Sequence, residues 1–226
     1  MVVVWYILTM SDNSVEHEPG KFIAFEGIDG SGKSTQIGLL LARLANLGVR
    51  CSAAKEPSNL PVGSLVRQIL AGGIKTDERV LANLFAADRI DHLLNEAGGI
   101  YNKIQDGITV ITDRYYFSSY AYNTVNTGLD MDWVINVNAV SSGILRPTVT
   151  IFLDVAPELA MRRIKRRAGQ GGRELFEEEW RLALVREKYF EAFARLKDTE
   201  NVAVIDAGGG EDTVEERVWA EAAKYF

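Results

Sequence analysis

Residues Gly27-Ile28-Asp29-Gly30-Ser31-Gly32-Lys33-Ser34 fit the pattern G-x-x-x-x-G-K-[S/T], between an apolar run, Phe22–Glu26, and an amphipathic stretch beginning at Ser34. Such a match has under about a one-in-a-hundred chance of arising anywhere in a chain of this composition, glycine's background of roughly 7% dominating the estimate. Its flanks also supply the context the pattern needs, a strand before the loop and a helix after it. The glycines let successive backbone N–H groups turn inward around phosphate oxygens, and the helix N-terminus adds positive potential. The loop from Gly27 to Thr35 is therefore expected to hold a nucleotide's phosphates. Lys33 would reach the β- and γ-phosphates, and the Ser34 hydroxyl would ligate Mg²⁺. Two other nucleotide signatures fail. Asn102-Lys103-Ile104-Gln105-Asp106 has one residue too many for N-K-x-D, and Gly30-Ser31-Gly32-Lys33-Ser34-Thr35 ends in threonine where G-x-G-x-x-G needs glycine.

From Lys21 onward, short apolar runs alternate with longer helical patterns, which predicts a parallel α/β sheet. Five runs read as buried strands: Phe22–Glu26, Val49–Ala54, Ile108–Thr112, Val149–Leu153 and Val202–Ile205. Helices are expected over Ser34–Leu47, stopping at Gly48, and from Asp77 to about Ile104 with a break at Gly98-Gly99. Others are expected over Asp130–Ser142, Pro157–Arg167, Glu174–Leu196 and Asp212–Tyr225, with Pro157 in a first turn and Asp212 as an N-cap. No linker or internal repeat divides the chain, so its 226 residues read as one domain.

Composition narrows the function. With 25 basic and 31 acidic residues the net charge is −6, which disfavours a general nucleic-acid coat. Cys51 is the only cysteine, and His17 and His92 the only histidines, so disulfide frameworks and multi-cysteine or histidine-rich metal sites are excluded. The run Val2–Leu8 is far shorter than the roughly 20 residues a bilayer span needs. Residues 1–20 are expected to form a flexible N-terminal extension before a domain at 21–226, with the Val2–Leu8 run upstream of a later start at Met10. A cytoplasmic location is the expectation.

Other segments sit where ligands bind in open α/β sheets, at strand C-terminal ends. Asp113-Arg114-Tyr115 follows one predicted strand and Glu56-Pro57 another. Leu84-Phe85-Ala86-Ala87-Asp88-Arg89 lies on the long helix, with Phe85 and Arg89 on one face, where Phe85 could be either core or ligand contact. Asp113-Arg114-Tyr115-Tyr116-Phe117-Ser118-Ser119-Tyr120-Ala121-Tyr122 completes the set. Together with Glu26-Gly27-Ile28-Asp29, these segments resemble the thymidylate kinase family, in order, from about Lys21 to the C-terminus.

The resemblance implies a three-layer fold with a five-stranded parallel sheet in the order 2-3-1-4-5. It implies transfer of a phosphoryl group from ATP, with Mg²⁺, to dTMP. Phe85 would stack on thymine, Arg89 would approach the base and phosphate side, and Arg114 would hold the acceptor phosphate. Ser119 would bond the base edge, Tyr122 would crowd the sugar 2′ position, and Asp29 would face the 3′-hydroxyl and metal region. Glu56, Pro57 and Arg67 would complete the acceptor site, and Asp113 would join Ser34 at the metal. The chain departs from the family at Asn123, where glutamine is common, at Lys55, and in Ser58–Arg67, which lacks the usual Gly-Gly. Arg162–Arg173 carries six basic residues, no acidic one, and three glycines, and lies where the family has a closing lid. Some family members carry an arginine in the phosphate loop, but that position is Gly30 here. The transition-state cation would then be Arg167 or Arg173, with Arg163 and Arg166 behind them. A homodimer through exposed helix faces is a further implication. The competing readings are another nucleotide or nucleoside kinase of this fold, or a non-catalytic nucleotide-binding module.

Overall fold

A computed structural model describes residues 18–125, 127–168 and 175–226, without the side chains at 167, 168 and 175–178. Most of the expected extension over residues 1–20, Arg173, and the side chain of Arg167 therefore lie outside the described residues. In chain order the elements are β1 (Phe22–Glu26), α1 (Lys33–Asn46), β2 (Cys51–Lys55), α2 (Pro61–Leu70), α3 (Glu78–Leu94), α4 (Ile100–Gln105) and β3 (Thr109–Asp113). There follow α5 (Tyr116–Tyr122), α6 (Met131–Val137), α7 (Ala139–Ile144), β4 (Val149–Asp154), α8 (Pro157–Ala168), α9 (Leu175–Leu196), β5 (Val202–Asp206) and α10 (Glu211–Ala222).

The strands pair in parallel in the order β2-β3-β1-β4-β5, as expected. The central strands β1 and β3 are buried along their whole length, as is β4 except at Asp154, so helices cover both faces of the sheet. α1 and α10 pack on one another against the sheet, while α5 packs on α9 and α8 on α9. Phe152 of β4 meets Tyr189, Phe190 and Phe193 of α9 at centroid distances of 4.9 to 5.5 Å, an aromatic cluster that fixes α9 to the sheet.

Register decides what the sheet presents. Phe25 of β1 lies opposite Asp113 of β3, and Lys55 of β2 lies opposite the same Asp113. Glu26, Glu56 and Arg114 therefore lie side by side at the sheet's C-terminal edge, with Gly27 the next residue out of β1. The Arg114 N–H donates to the Phe25 carbonyl at 2.9 Å, and the Glu56 N–H to the Asp113 carbonyl at 3.1 Å.

Several expectations are corrected in detail. β2 and β5 are the edges of the sheet and are half-exposed, not buried. The stretch from Asp77 breaks as expected into α3 and α4, and Asp77 caps α3 by accepting the Arg79 N–H. The stretch from Asp130 divides into α6 and α7. α10 is capped by Gly210, which places Asp212 inside its first turn. Two helices, α2 and α5, were not expected.

Candidate active site

On one side stands the phosphate loop. Gly32, at φ +103°, ends it and opens α1. Lys33 is nearly buried and donates to the Gly27 and Ile28 carbonyls at 2.9 and 3.1 Å, which curls the loop around its ammonium group. Burial, with repulsion from Arg114 next, pushes its pKa down to about 7, although neighbouring carboxylates oppose the shift. Ser34 and Thr35 face solvent on the first turn. The Ser34 hydroxyl donates to Asp113 Oδ2 at 2.9 Å, and the other carboxylate oxygen of Asp113 is buried with no partner.

Within the loop, Gly30 carries the closest constraint. Its φ is +79°, and a Cβ there would lie 2.4 Å from the Ala160 carbonyl oxygen of α8. Only glycine fits that contact without moving α8. Arg163, one turn further along α8, donates to the Ser31 carbonyl at 3.2 Å and to the Ala207 carbonyl at 2.9 Å. α8 is thus joined to the loop at two points.

Facing the loop is a cleft of about 1110 Å³, ample for a nucleotide by the usual size of ligand sites. Asp29, Gly30, Glu56, Pro57, Phe85, Arg89, Arg114, Ser119 and Tyr122 all line it, so residues scattered over four sequence segments meet on one surface. Phe85 is half-buried, lies outside the core cluster and faces this cleft. Arg67 does not line it: its guanidinium donates to the Pro57 carbonyl at 3.1 Å, to the Ser58 carbonyl, and to the Ser64 hydroxyl at 2.8 Å. It braces the Glu56-Pro57 turn, whose peptide bond is cis.

Arg114 is the hub of the near wall. It donates to Ser118 Oγ at 2.9 Å, to Asp29 Oδ1 at 2.5 Å and to the Tyr122 hydroxyl at 3.2 Å, with its guanidinium 4.7 Å from the Tyr122 ring centroid. Partial burial pushes the Asp29 carboxyl up, but the Arg114 and Lys33 charges outweigh it and hold Asp29 below its ordinary value. Burial raises the Tyr122 phenol to about 12, so it stays a neutral hydroxyl.

Arg89 holds the far wall. It is 1% exposed, pairs with Glu56 Oε2 through two nitrogens at 2.8 and 2.7 Å, and donates to Asn138 and to Ser119 Oγ at 3.1 Å. A buried guanidinium this fully partnered keeps its charge and fixes the groups around it.

Sequence reasoning missed part of this cleft. Met161 and Ile164 from α8, and Arg181, Leu182 and Val185 from α9, also line it. Nothing but ordinary helical spacing marked them. Asn123, noted only as a departure from the family, lines the cleft with its Nδ2 buried and unpartnered. Among the described residues no group of three or more His, Cys, Asp or Glu could hold a metal, and no helix is long and apolar enough to cross a membrane.

A phosphate loop on β1, facing a cleft of mixed polar and apolar lining at the carboxyl ends of β2 and β3, defines a P-loop protein with room for a second ligand opposite the loop. Residues 25–218 match the thymidylate kinase family model, and the chain belongs to that family. It is 41% identical over 186 residues to a probable thymidylate kinase of Pyrobaculum aerophilum, covering 82% of this chain and 88% of the relative. It is 37% identical over 200 residues to the thymidylate kinase of Symbiobacterium thermophilum, covering 87% and 90%. With a probable thymidylate kinase of Methanocaldococcus jannaschii the identity is 38% over 187 residues, covering 82% and 86%.

Proposed function

We propose that this protein transfers the γ-phosphoryl group of ATP to dTMP, giving ADP and dTDP. The observation that carries the reading is that Lys33, opening α1 after the β1 end, and Arg114, just beyond the adjacent β3 end, are two cations that both act on Asp29. One cation serves the donor phosphates and the other the acceptor phosphate, with Asp29 between them. A dTMP phosphate oxygen attacks the γ-phosphorus in line, the bond from that phosphorus to the β,γ-bridging oxygen breaks, and ADP leaves. The acceptor is already an anion, so no side-chain nucleophile is needed, and catalysis is positioning and charge neutralisation.

Within the cleft, Phe85 takes the thymine face, Ser119 its polar edge, Arg89 the base and phosphate side, and Tyr122 the sugar. Arg67 serves through the Glu56-Pro57 turn that it braces. The donor set suits Mg²⁺, a hard cation that keeps waters and phosphate oxygens as most of its ligands. The Ser34 hydroxyl and the unpartnered Asp113 oxygen are the groups that would hold it. When bound, it neutralises charge on the β- and γ-phosphates. Gly30 supports a cation from outside the loop, since no side chain fits there beneath Ala160. The reading assigns that role to Arg167 or Arg173, neither of whose side chains is among those described. A domain over residues 21–226, a homodimer and a cytoplasmic location complete the proposal.

The test is a coupled ADP-release assay over dTMP, dUMP, dCMP, CMP and thymidine. The expected result is the highest kcat/KM with dTMP. ADP release that no nucleotide acceptor stimulates overturns the kinase reading, and a better acceptor than dTMP overturns the substrate.

A further inference from the structure

Glu26 ends β1 one residue before the phosphate loop and is 0% exposed. A carboxylate so far from water persists only where donors replace its hydration. Four do. Oε1 accepts the Tyr115 N–H at 2.8 Å and the Ser118 N–H at 3.0 Å, while Oε2 accepts the Ser118 hydroxyl at 2.6 Å and the Tyr189 hydroxyl at 2.8 Å. Glu26 does not line the cleft, and the transfer step above makes no use of it.

Two of those donors are amides at the start of α5, those of its N-cap residue Tyr115 and of Ser118 in its first turn, and the helix has no side-chain cap of its own. Glu26 supplies from β1 the acceptor that such an N-terminus lacks. Immediately before that helix, Arg114 has φ +76°, the one positive value at a non-glycine residue among those described. A left-handed arginine is held only where its surroundings over-determine the backbone. Here β1 grips both sides of the turn: the Phe25 carbonyl accepts the Arg114 N–H, and the Glu26 carboxylate accepts the next one. The side chain is tied as well, because Ser118 Oγ accepts from Arg114 Nη1 and donates to Glu26.

We propose that Glu26 is the positioning residue for Arg114: its buried carboxylate fixes the left-handed turn and, through Ser118, the guanidinium, with Tyr189 of α9 as a second strut. The acceptor phosphate then meets a preset cation whose location is set by the same strand that carries the donor loop. This rests on the reading of Arg114 as the acceptor-phosphate ligand.

Calorimetric titration of the full chain with dTMP, thymidine and ATP tests it in Arg114→Ala, Glu26→Gln and Tyr189→Phe. Thymidine lacks the phosphate, so the ratio of thymidine to dTMP dissociation constants isolates what the phosphate contributes. Glutamine keeps the shape of Glu26 but turns one acceptor oxygen into a donor, and cannot accept from all four partners. The expected ratio falls about 10- to 100-fold in Glu26→Gln and about 2- to 10-fold in Tyr189→Phe, with thymidine and ATP affinities unchanged. A purely structural Glu26 would lower the melting temperature and leave the ratio at the parent value, which overturns the proposal. Should Glu26→Gln fail to fold, Tyr189→Phe decides by the same criterion. An unchanged ratio in Arg114→Ala removes the acceptor-phosphate reading, and the positioning role with it. A ratio lost in Arg114→Ala but intact in Glu26→Gln removes the positioning role alone.

Discussion

On the donor side of the active site, phosphate is to be met by backbone. Gly27 to Gly32 present amides, α1 contributes its N-terminus, and Lys33 curls the loop by bonding two of its carbonyls. On the acceptor side, phosphate and base are to be met by side chains that hold one another. Arg114 leans on Ser118, Asp29 and Tyr122, and Arg89 on Glu56, Asn138 and Ser119. The difference lies in what keeps each part in place. A backbone cradle needs only local chain conformation, so one contiguous motif can specify it. A wall of mutually bonded side chains needs several elements to arrive together, and depends on the register of β1, β2 and β3.

That contrast predicts that the two sides fail separately. Lys33→Ala should give the largest effect, a loss of about 10²–10³ or more in kcat, as for other groups that stabilise charge on a transferring phosphoryl. Its hydrogen bonds are confined to the loop, so the dTMP dissociation constant measured by calorimetry should stay within about twofold, well under the tenfold that 1.4 kcal/mol represents. A parallel loss of dTMP affinity would mean that the loop and the acceptor wall are a single unit.

The same contrast explains what could be read from the sequence. The phosphate loop was legible because its eight residues are adjacent. β1, β3 and β4 were legible as buried runs, yet β2 and β5 looked the same and proved to be half-exposed edges. A strand's place in the sheet is a property of its neighbours, which the run itself does not encode. α5 went unseen because Tyr115–Tyr122 is so rich in aromatics that no polar face marks a helical period, and its cap comes from Glu26 on another strand. α2 begins with Pro61 at its first position, a start signal masked by the irregular segment before it. Met161, Leu182 and Val185 belong to the buried core and also back the cleft, with Ile164 packed against them, and helical spacing alone does not mark a core face that doubles as a cleft wall.

Phe85 gives the next effect in size and tests whether the acceptor wall is a binding surface or packing. Phe85→Ala should weaken dTMP by about 1–3 kcal/mol if the ring stacks on the base. The ring is half-buried and outside the core cluster, so the melting temperature should change little. Calorimetry beside thermal unfolding separates the two cases. A large fall in melting temperature with normal dTMP affinity would return Phe85 to the core.

Arg67 should give the smallest effect, and it sharpens the comparison most, because it asks whether a residue can serve the acceptor without touching it. Its guanidinium lies against the Pro57 and Ser58 carbonyls, behind the turn that presents Glu56 and Pro57 to the cleft. Removing it loosens the turn, and hydrogen bonds of this kind each contribute about 0.5–1.5 kcal/mol net, or roughly 2- to 13-fold in affinity. A turn acts on whatever occupies the cleft, whether or not it carries a phosphate. Arg67→Ala should therefore weaken dTMP and thymidine by the same factor, and leave ATP alone. An arginine that reached the acceptor phosphate directly would behave differently, with dTMP affinity falling by about 1.5–3 kcal/mol, the range for hydrogen bonds to charged groups, and thymidine unaffected. A phosphate-specific loss of that size would show that Arg67 leaves the turn when the acceptor binds, and that the acceptor wall is assembled by its ligand and not set in advance.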